Sequence, residues 1–427
     1  MSAERGSSLP ARPPEVATCG PVIIADESAS RPLKLRVFDF IRATGAVSRA
    51  QVAKDLGISP GTVSTLTADL IEAGVLREIV TARDPAAVVR GRPPVALAVC
   101  PDAYIVAGIK FSSRDRTGIL VDFAGNRLAE AHSTVGRNGL DPEAQIAAVG
   151  AMVDDMLAQV GRSRSELGAV GIGLPGFVRH EAGRVHWSPV LEGRDVDLAA
   201  LGTDRLGVPV TIDNDANLVA LAELWFGKGR DRADFTVVTT EQGVGFGVVL
   251  NHRLFRGANG IGLELGHTKV QLDGALCRCG QRGCLEAYLS DYAIAREAAL
   301  ALDLPASETP DIPDQIAALL ARAEAGDEAA RSVFDRARRY LAAGLATVVN
   351  LFDPTLLILS GGRMRYDWLT REALLAEMAE FTIQSGQPLP PLVVHEWGDM
   401  LWAHGAAALA LAHVTETDIG LTAAAVA

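Results

Sequence analysis

The sequence predicts an α/β protein with a small winged helix-turn-helix module near its N-terminal end. Three observations carry this reading. Between residues 33 and 99, three short helical stretches are followed by two strand-like runs. From residue 103 onward, apolar strand runs alternate with amphipathic helical segments, the pattern of layered strands and helices. Past the middle, a glycine-rich stretch gathers three of the chain's five cysteines beside a histidine.

Length and composition narrow the classes available. At 427 residues the chain has room for two or three domains, and 48% hydrophobic against 22% charged residues supports a sizeable core. No apolar run reaches the ~18 to 20 residues that cross a bilayer, so no membrane association is expected. No basic region followed by an apolar core marks a secretory leader. An odd number of cysteines, three of them clustered, fits a reducing cytoplasmic setting better than a disulfide scaffold. The net charge of −12 argues against a protein that coats nucleic acid. The charge is uneven, however. Residues 33–97 carry nine Lys or Arg against six Asp or Glu, a mildly basic module on an acidic body.

Residues 1–32, rich in Pro, Ser, Ala and Glu, are expected to form a disordered arm. Residues 33–99 are expected to form the DNA-binding domain. In LKLRVFDFIRATG, Leu35, Phe38, Ile41 and Arg42 recur at helical spacing up to Gly45. Ser48 caps a second helix, SRAQVAKDLG, whose inner face is Val52, Ala53 and Leu56. In ISPGTVSTLTADLIEAGVL, Ser59 is the N-cap and Pro60 suits the first helical position. Val63, Leu66, Leu70 and Ile71 would face the core, leaving Thr62, Ser64, Thr65 and Thr67 outward. With Ser59, these hydroxyls could reach base edges and phosphates in a major groove; an ordinary helical hairpin is the plainer alternative. LREIVTAR and VALAVC then read as two strands around DPAAVVRGRPP, a wing. Arg90 and Arg92 at its tip could enter a minor groove, or could belong to a solvated loop.

Residues 103–427 are expected to form the second domain. YIVAGIKFS, RTGILVDF and NRLAEAHSTV read as strands, with Gly125-Asn126 at the second turn. An amphipathic helix spans Pro142 to Val160, and AVGIGLPG follows as a buried strand. VPVTIDNDANLVALAELWFGKG reads as a strand to Ile212 and a helix from about Ala216. Asn214 and Asp215 therefore sit at a strand's end, where open α/β sheets place ligand groups. The plainer alternative is that Asp213 or Asp215 caps the helix. After Tyr288 the chain is mostly helical to about Phe352, and PTLLILSGG and LVVHEW are strands. WAHGAAALALAHV is a small-residue helix, and the residues from Thr415 on are expected to fray.

In Gly262 to Tyr288, GLELGHTKVQLDGALCRCGQRGCLEAY, His267, Cys277, Cys279 and Cys284 give H-x9-C-x-C-x4-C. One imidazole and three thiolates form a closed set suited to structural zinc (Zn2+). A disulfide is the weaker competitor, since Cys277 and Cys279 are close in sequence. Glu264 and Glu286 flank the cluster and are not needed for a zinc knuckle.

These residues also carry a resemblance. GLELGH followed by CRCGQRGCLEAY resembles the signature of the ROK family of sugar-responsive repressors and sugar kinases. The resemblance implies an actin-like, two-lobed sugar-kinase (ribonuclease H-like) fold after the winged module. It implies metal on His267, Cys277, Cys279 and Cys284, with the zinc loop spanning residues 267–284. It also implies that Glu264, His267 and Glu286 contact sugar hydroxyls. DNDAN resembles the family's sugar site, where Asn214 would bind sugar and Asp215 would stand as the base of a kinase. One departure is informative. Family kinases open with D-x-G-G-T at a phosphate loop; this chain reads GIKFSSRDRTG, with Lys110 at the acid's position and Ser112 and Ser113 at the glycines. Glu241-Gln242 likewise replaces the residues expected before Gly243. The expectation is a non-enzymatic transcriptional regulator that binds operator DNA and a sugar effector, most simply a repressor acting as a homodimer or higher oligomer. The alternatives are an active sugar kinase that also binds DNA, favoured by the retained Asp215, and a scaffold that senses a phosphosugar or a protein.

Overall fold

The structure is a computed structural model that describes residues 17–23, 31–80, 95–135, 141–301, 311–361, 371–384 and 386–420. Its contacts divide the chain into two compact units. The first holds the described residues up to Tyr104, the turn Asp122–Asn126 and the described end from Thr415. The second holds Ile105–Val121 and Arg127–Val414.

In the first unit, α1 (Leu33–Thr44), α2 (Arg49–Asp55) and α3 (Pro60–Glu72) precede β1 (Leu76–Val80) and β2 (Val95–Val99). The helix starts follow local chemistry. Ser48 Oγ accepts from the Gln51 amide at 3.2 Å, and Ser59 Oγ accepts from the Thr62 amide at 3.1 Å with Pro60 opening α3. Phe38, Ile41, Val52, Val63, Leu70, Leu76 and Leu97 fill the core. β1 and β2 pair antiparallel from Leu76↔Val99 to Val80↔Val95, as a wing requires. Arg90 and Arg92, expected at its tip, lie outside the described residues.

Three expectations are corrected here. Thr67 does not face outward: it is fully buried, and its hydroxyl takes a 3.0 Å hydrogen bond from Arg49 Nε. Within the arm expected to be disordered, residues 17–23 include the buried Cys19 and Gly20, and the Cys19 amide donates to the Arg42 carbonyl. The segment expected to fray contains a π-helical turn, Thr415–Ile419, with Thr415 and Ile419 buried. Thr415 Oγ1 accepts from Arg42 Nη1 at 2.8 Å, and Arg42 also pairs with the buried Asp39 at 2.7 Å. A buried guanidinium needs such partners, and a segment in solution could not supply one.

The second unit repeats one strand pattern. β3 (Ile105–Phe111), β4 (Asp115–Asp122) and β5 (Arg127–Thr134) form a meander, followed by α4 (Pro142–Gln159), β6 (Leu167–Leu174) and the short hairpin β7 (Phe177–Arg179) and β8 (Arg184–Trp187). α5 (Leu198–Leu206) and β9 (Val210–Asn214) complete the first sheet, of order β5-β4-β3-β6-β9. α6 (Asp215–Phe226) leads to a second meander, β10 (Phe235–Thr240), β11 (Val244–Leu250) and β12 (Arg253–Phe255). Then come α7 (Glu286–Leu289), α8 (Asp291–Ala301), α9 (Ile312–Glu324), α10 (Glu328–Phe352), β13 (Leu357–Gly361), α11 (Arg371–Phe381), β14 (Leu392–Glu396) and α12 (Leu401–Val414). The second sheet has order β12-β11-β10-β13-β14. In both sheets a meander is extended by two parallel strands, the duplicated architecture of a two-lobed sugar-kinase fold.

α12 packs on β3, β6 and α6 with backbone against backbone. A Cβ on Gly108 would stand 2.2 Å from the Ala403 carbonyl oxygen, and one on Gly171 would stand 2.0 Å from that of Ala406. Small residues at these positions let the helix settle onto the strands, which explains the alanine-rich face of α12. Gly171→Val is therefore expected to destabilise the second unit by at least ~1–3 kcal/mol, read as a lowered urea midpoint. An unchanged midpoint would mean that α12 does not lie on β6.

Candidate functional site

His267, in the helical turn Leu265–His267, and the loop after it bring four donors together. Ligand atoms of His267, Cys277, Cys279 and Cys284 all lie within 4.8 Å of one another. Cys277 Sγ is 3.7 Å from His267 Nδ1, and Cys279 Sγ is 3.7 Å from Cys284 Sγ. A tetrahedral ion with metal–sulfur bonds of about 2.3 Å separates its sulfurs by ~3.8 Å, so the spacing fits a metal ion. The fold supports the set locally. Gly283, at φ 74°, turns the chain where a Cβ would stand 1.6 Å from the Gln271 carbonyl oxygen. The Val270 amide donates to the Gly283 carbonyl, closing the loop. Lys269 Nζ lies 2.9 Å from Cys284 Sγ, and Tyr292 OH donates to Cys277 Sγ at 3.6 Å. Both side chains reach the cluster from outside the four candidate ligands and hold its sulfurs in place. Sequence reasoning missed both. Lys269 stands two residues after His267, a position that signals nothing by itself.

The same histidine faces a second construction. With Nδ1 toward the thiols, its Nε2 is 3.9 Å from Glu264 Oε2. Glu286, first residue of α7, accepts from the Val244 amide at 3.3 Å and lies 3.6 Å from Cys277 Sγ. Glu264 keeps 44% of its side chain exposed, yet burial of its carboxyl pushes the pKa up. The His267 ring pulls it down, and the charges of Asp215 and Glu286 raise it further. Glu264 thus feels the charges of His267, Asp215 and Glu286, which come from separate stretches of the chain.

Asn214 and Asp215 lie at the junction of β9 and α6. Asn214 is the N-cap: its Oδ1 accepts from the Ala216 amide at 2.8 Å, so neither aspartate of DNDAN holds the cap position. Its Nδ2 donates to the Gly176 carbonyl at 2.7 Å, beside the β7–β8 hairpin. Burial pushes the Asp215 carboxyl up, and the Lys110 charge opposes that rise. Lys110, on β3, rests its ammonium 3.4 Å from the centre of the Trp402 ring. In the loop that follows, Ser112 Oγ bonds the Asp115 carboxylate, and the Ser112 amide donates to the Asp115 carbonyl at 2.9 Å. The Arg114 and Asp115 amides both donate to Ser112 Oγ. Ser113 lies inside this tight turn.

On the first unit, Ser59, Ser64 and Thr65 are exposed and Thr62 is half-buried at the start of α3. Ser64 Oγ donates to the Pro60 carbonyl at 2.9 Å, and Thr65 Oγ1 to that of Gly61 at 3.3 Å. Each hydroxyl keeps acceptor capacity toward solvent.

A winged helix-turn-helix joined to a duplicated sugar-kinase-like unit defines a class of DNA-binding sensor architecture. Comparison with known proteins narrows it. The ROK family model matches residues 106–413, and a winged helix-turn-helix DNA-binding model matches residues 31–77. The chain belongs to the ROK family. It is 29% identical over 328 residues to the DNA-binding transcriptional dual regulator NagC of Escherichia coli K12, covering 76% of this chain and 79% of that protein. It is 28% identical over 331 residues to the xylose repressor of Caldicellulosiruptor bescii, covering 76% and 82%. A crystal structure of a ROK family transcriptional regulator, a homolog of the E. coli MLC protein, superposes with a TM-score of 0.76 at 25% identity over 91% of this chain and 97% of that one. A ROK hexokinase from Thermus thermophilus superposes at 0.62 with 28% identity over 73% and 99%.

Elemental analysis of the purified chain is expected to find about one metal ion per chain, lost in Cys284→Ser and kept in Cys100→Ala. Equal metal content in the two variants would contradict a site at the His267 cluster.

Proposed function

We propose that this chain is a sugar-responsive transcriptional regulator, most simply a repressor of carbohydrate genes, whose operator affinity changes when a sugar occupies the second unit. One observation carries the reading. Glu264 stands beside His267 and Glu286 abuts the same cysteine cluster, in a ROK-family chain that also bears a winged helix-turn-helix. Asn214, Asp215, Glu264, His267 and Glu286 would hold sugar hydroxyls. Carboxylates accept two hydroxyl bonds each, and a histidine nitrogen turned away from the cluster can donate.

The cluster His267, Cys277, Cys279 and Cys284 would hold structural zinc. A closed set of four protein donors leaves no position for catalysis, so the ion would supply rigidity alone. With Nδ1 committed to the cluster, the His267 ring has one orientation, and Nε2 faces the pocket beside Glu264.

The nucleotide side supports a sensor without kinase activity. A phosphate loop offers amide N–H groups to the ligand. Here the Ser112, Arg114 and Asp115 amides are spent inside the turn, and Lys110 stands over Trp402 where a family kinase has an acid. Asp215 would accept a hydrogen bond rather than pass a proton.

For DNA, Ser59, Thr62, Ser64 and Thr65 at the start of α3 would meet the major groove, and Arg90 and Arg92 the minor groove. Thr67 is withdrawn from this set because it is buried against Arg49. A homodimer or larger homo-oligomer would supply operator length. The relatives are named for N-acetylglucosamine and xylose, and these sugars head the candidate effectors.

The test is thermal stabilisation of the purified protein by N-acetyl-D-glucosamine, D-xylose and D-glucose, each with and without ATP–Mg. One sugar is expected to raise the melting temperature, with no added response to ATP. Turnover of ATP with a sugar, abolished in Asp215→Asn, would overturn the reading in favour of a kinase. A carboxylate introduced as Thr65→Glu is expected to weaken DNA binding by at least about tenfold, read by fluorescence anisotropy, and to leave the sugar response intact. DNA affinity unchanged in that variant would remove α3 from the DNA interface.

A further inference from the structure

We propose that the ion pair between Asp213 and Arg256 is the positioning device of the sugar site, holding its two halves at working distance. The inference rests on the sugar-sensor reading above and deepens it: neither residue is among the groups expected to touch the ligand. Asp213, the next-to-last residue of β9 in the first sheet, is fully buried. Arg256 follows β12, the edge strand of the second sheet. Arg256 Nε lies 2.7 Å from Asp213 Oδ2, so the pair joins the two lobes.

Two further donors tie this carboxylate to the turn that carries Asn214 and Asp215. Oδ1 accepts from the Asn214 amide at 2.8 Å and from Asn217 Nδ2 at 2.7 Å, fixing the turn that presents Asn214 and Asp215. His180 Nδ1 stands 3.9 Å from Oδ2 and 2.9 Å from the Ile212 carbonyl oxygen. A buried carboxylate persists only when so paired, which makes the contact a fixed point and not an optional surface bridge.

The other end of the pair controls the second half. Arg256 opens the loop that reaches Glu264 and then His267. That loop is geometrically demanding. Leu263, immediately before Glu264, has φ 68°, a left-handed conformation that a branched side chain adopts only when its surroundings impose it. A Cβ on Gly260 would stand 2.2 Å from the Val178 carbonyl oxygen, so the loop presses on β7. Asn214 Nδ2 bonds Gly176 at the root of the same hairpin. The Asp213–Arg256, Gly260–Val178 and Asn214–Gly176 contacts tie together the β9–α6 turn, the β7–β8 hairpin and the loop that leads to Glu264, and the ion pair is the charged one of the three.

The test uses full-length protein and the sugar of the three above that stabilises the wild type most. Sugar affinity is measured calorimetrically, with the melting temperature of the sugar-free protein in parallel. Arg256→Ala leaves a buried carboxylate unpaired and is expected to lower both stability and affinity. Adding Asp213→Asn to it removes the stranded charge while keeping an acceptor for Asn214 and Asn217. The double variant is expected to regain melting temperature but to stay weaker in sugar affinity by at least about tenfold, the scale of loss when an outer partner of a site is removed. Arg256→Lys is expected to recover most of the affinity. If affinity returns together with stability in the double variant, the pair is merely structural and the proposal is overturned. Affinity unchanged in Arg256→Ala also overturns it. A wild type that binds none of the sugars overturns the sensor reading, and this inference falls with it.

Discussion

The imidazole of His267 stands between two constructions, and the proposed sugar site depends on that sharing. One nitrogen lies among the cysteine sulfurs, and the other turns toward Glu264. A free histidine ring samples several rotamers, and ordering it for a ligand costs conformational entropy. A metal held through Nδ1 would remove that freedom before any ligand arrives. Glu286 gains from the same loop, because its carboxylate abuts Cys277 and the Val244 amide. The His267–cysteine cluster and the two glutamates are thus one local structure, which accounts for carboxylates that a zinc knuckle does not need on either side of it.

The remainder of the second unit brings DNDAN to that loop. α6 begins at Asp215 and is packed by α12, whose glycine and alanine backbone lies directly on β3, β6 and α6. Buried carboxylates fasten both ends of α6. Asp213 lies just before it, and Glu223 near its end accepts from Ser360 Oγ, His395 Nδ1 and Trp397 Nε1. Each uncompensated charge would be costly, so each site tolerates little rearrangement. Beyond Val414 the chain continues without a break into the turn Thr415–Ile419 of the first unit.

What was legible in the sequence was local. The helix caps at Ser48 and Ser59, the wing strands and the H-x9-C-x-C-x4-C spacing depend on neighbours a few residues away, and the structure forms the caps, the strands and the cluster. What was illegible depends on partners distant in the chain. Thr67 has the composition of an exposed face, but Arg49 reaches it and closes it off. The segment from Thr415 has the polarity of a fraying tail, but the buried Arg42 gives it a partner. Lys110 could be read only as a missing acid; its seat over Trp402 joins β3 to a helix near the other end of the chain. Asn214 appeared as a ligand residue, and nothing local showed that its amide also caps α6 and holds Gly176.

The central claim is that sugar and DNA binding are coupled in one chain. It is tested most directly by measuring both sides of the linkage. A DNA fragment is selected on the immobilised protein from random sequence, and its affinity is measured with and without saturating sugar. The sugar affinity is then measured with and without that DNA. The account predicts that the two ratios differ from one and agree with each other, as reciprocal coupling requires. DNA affinity that stays the same at saturating sugar would contradict it.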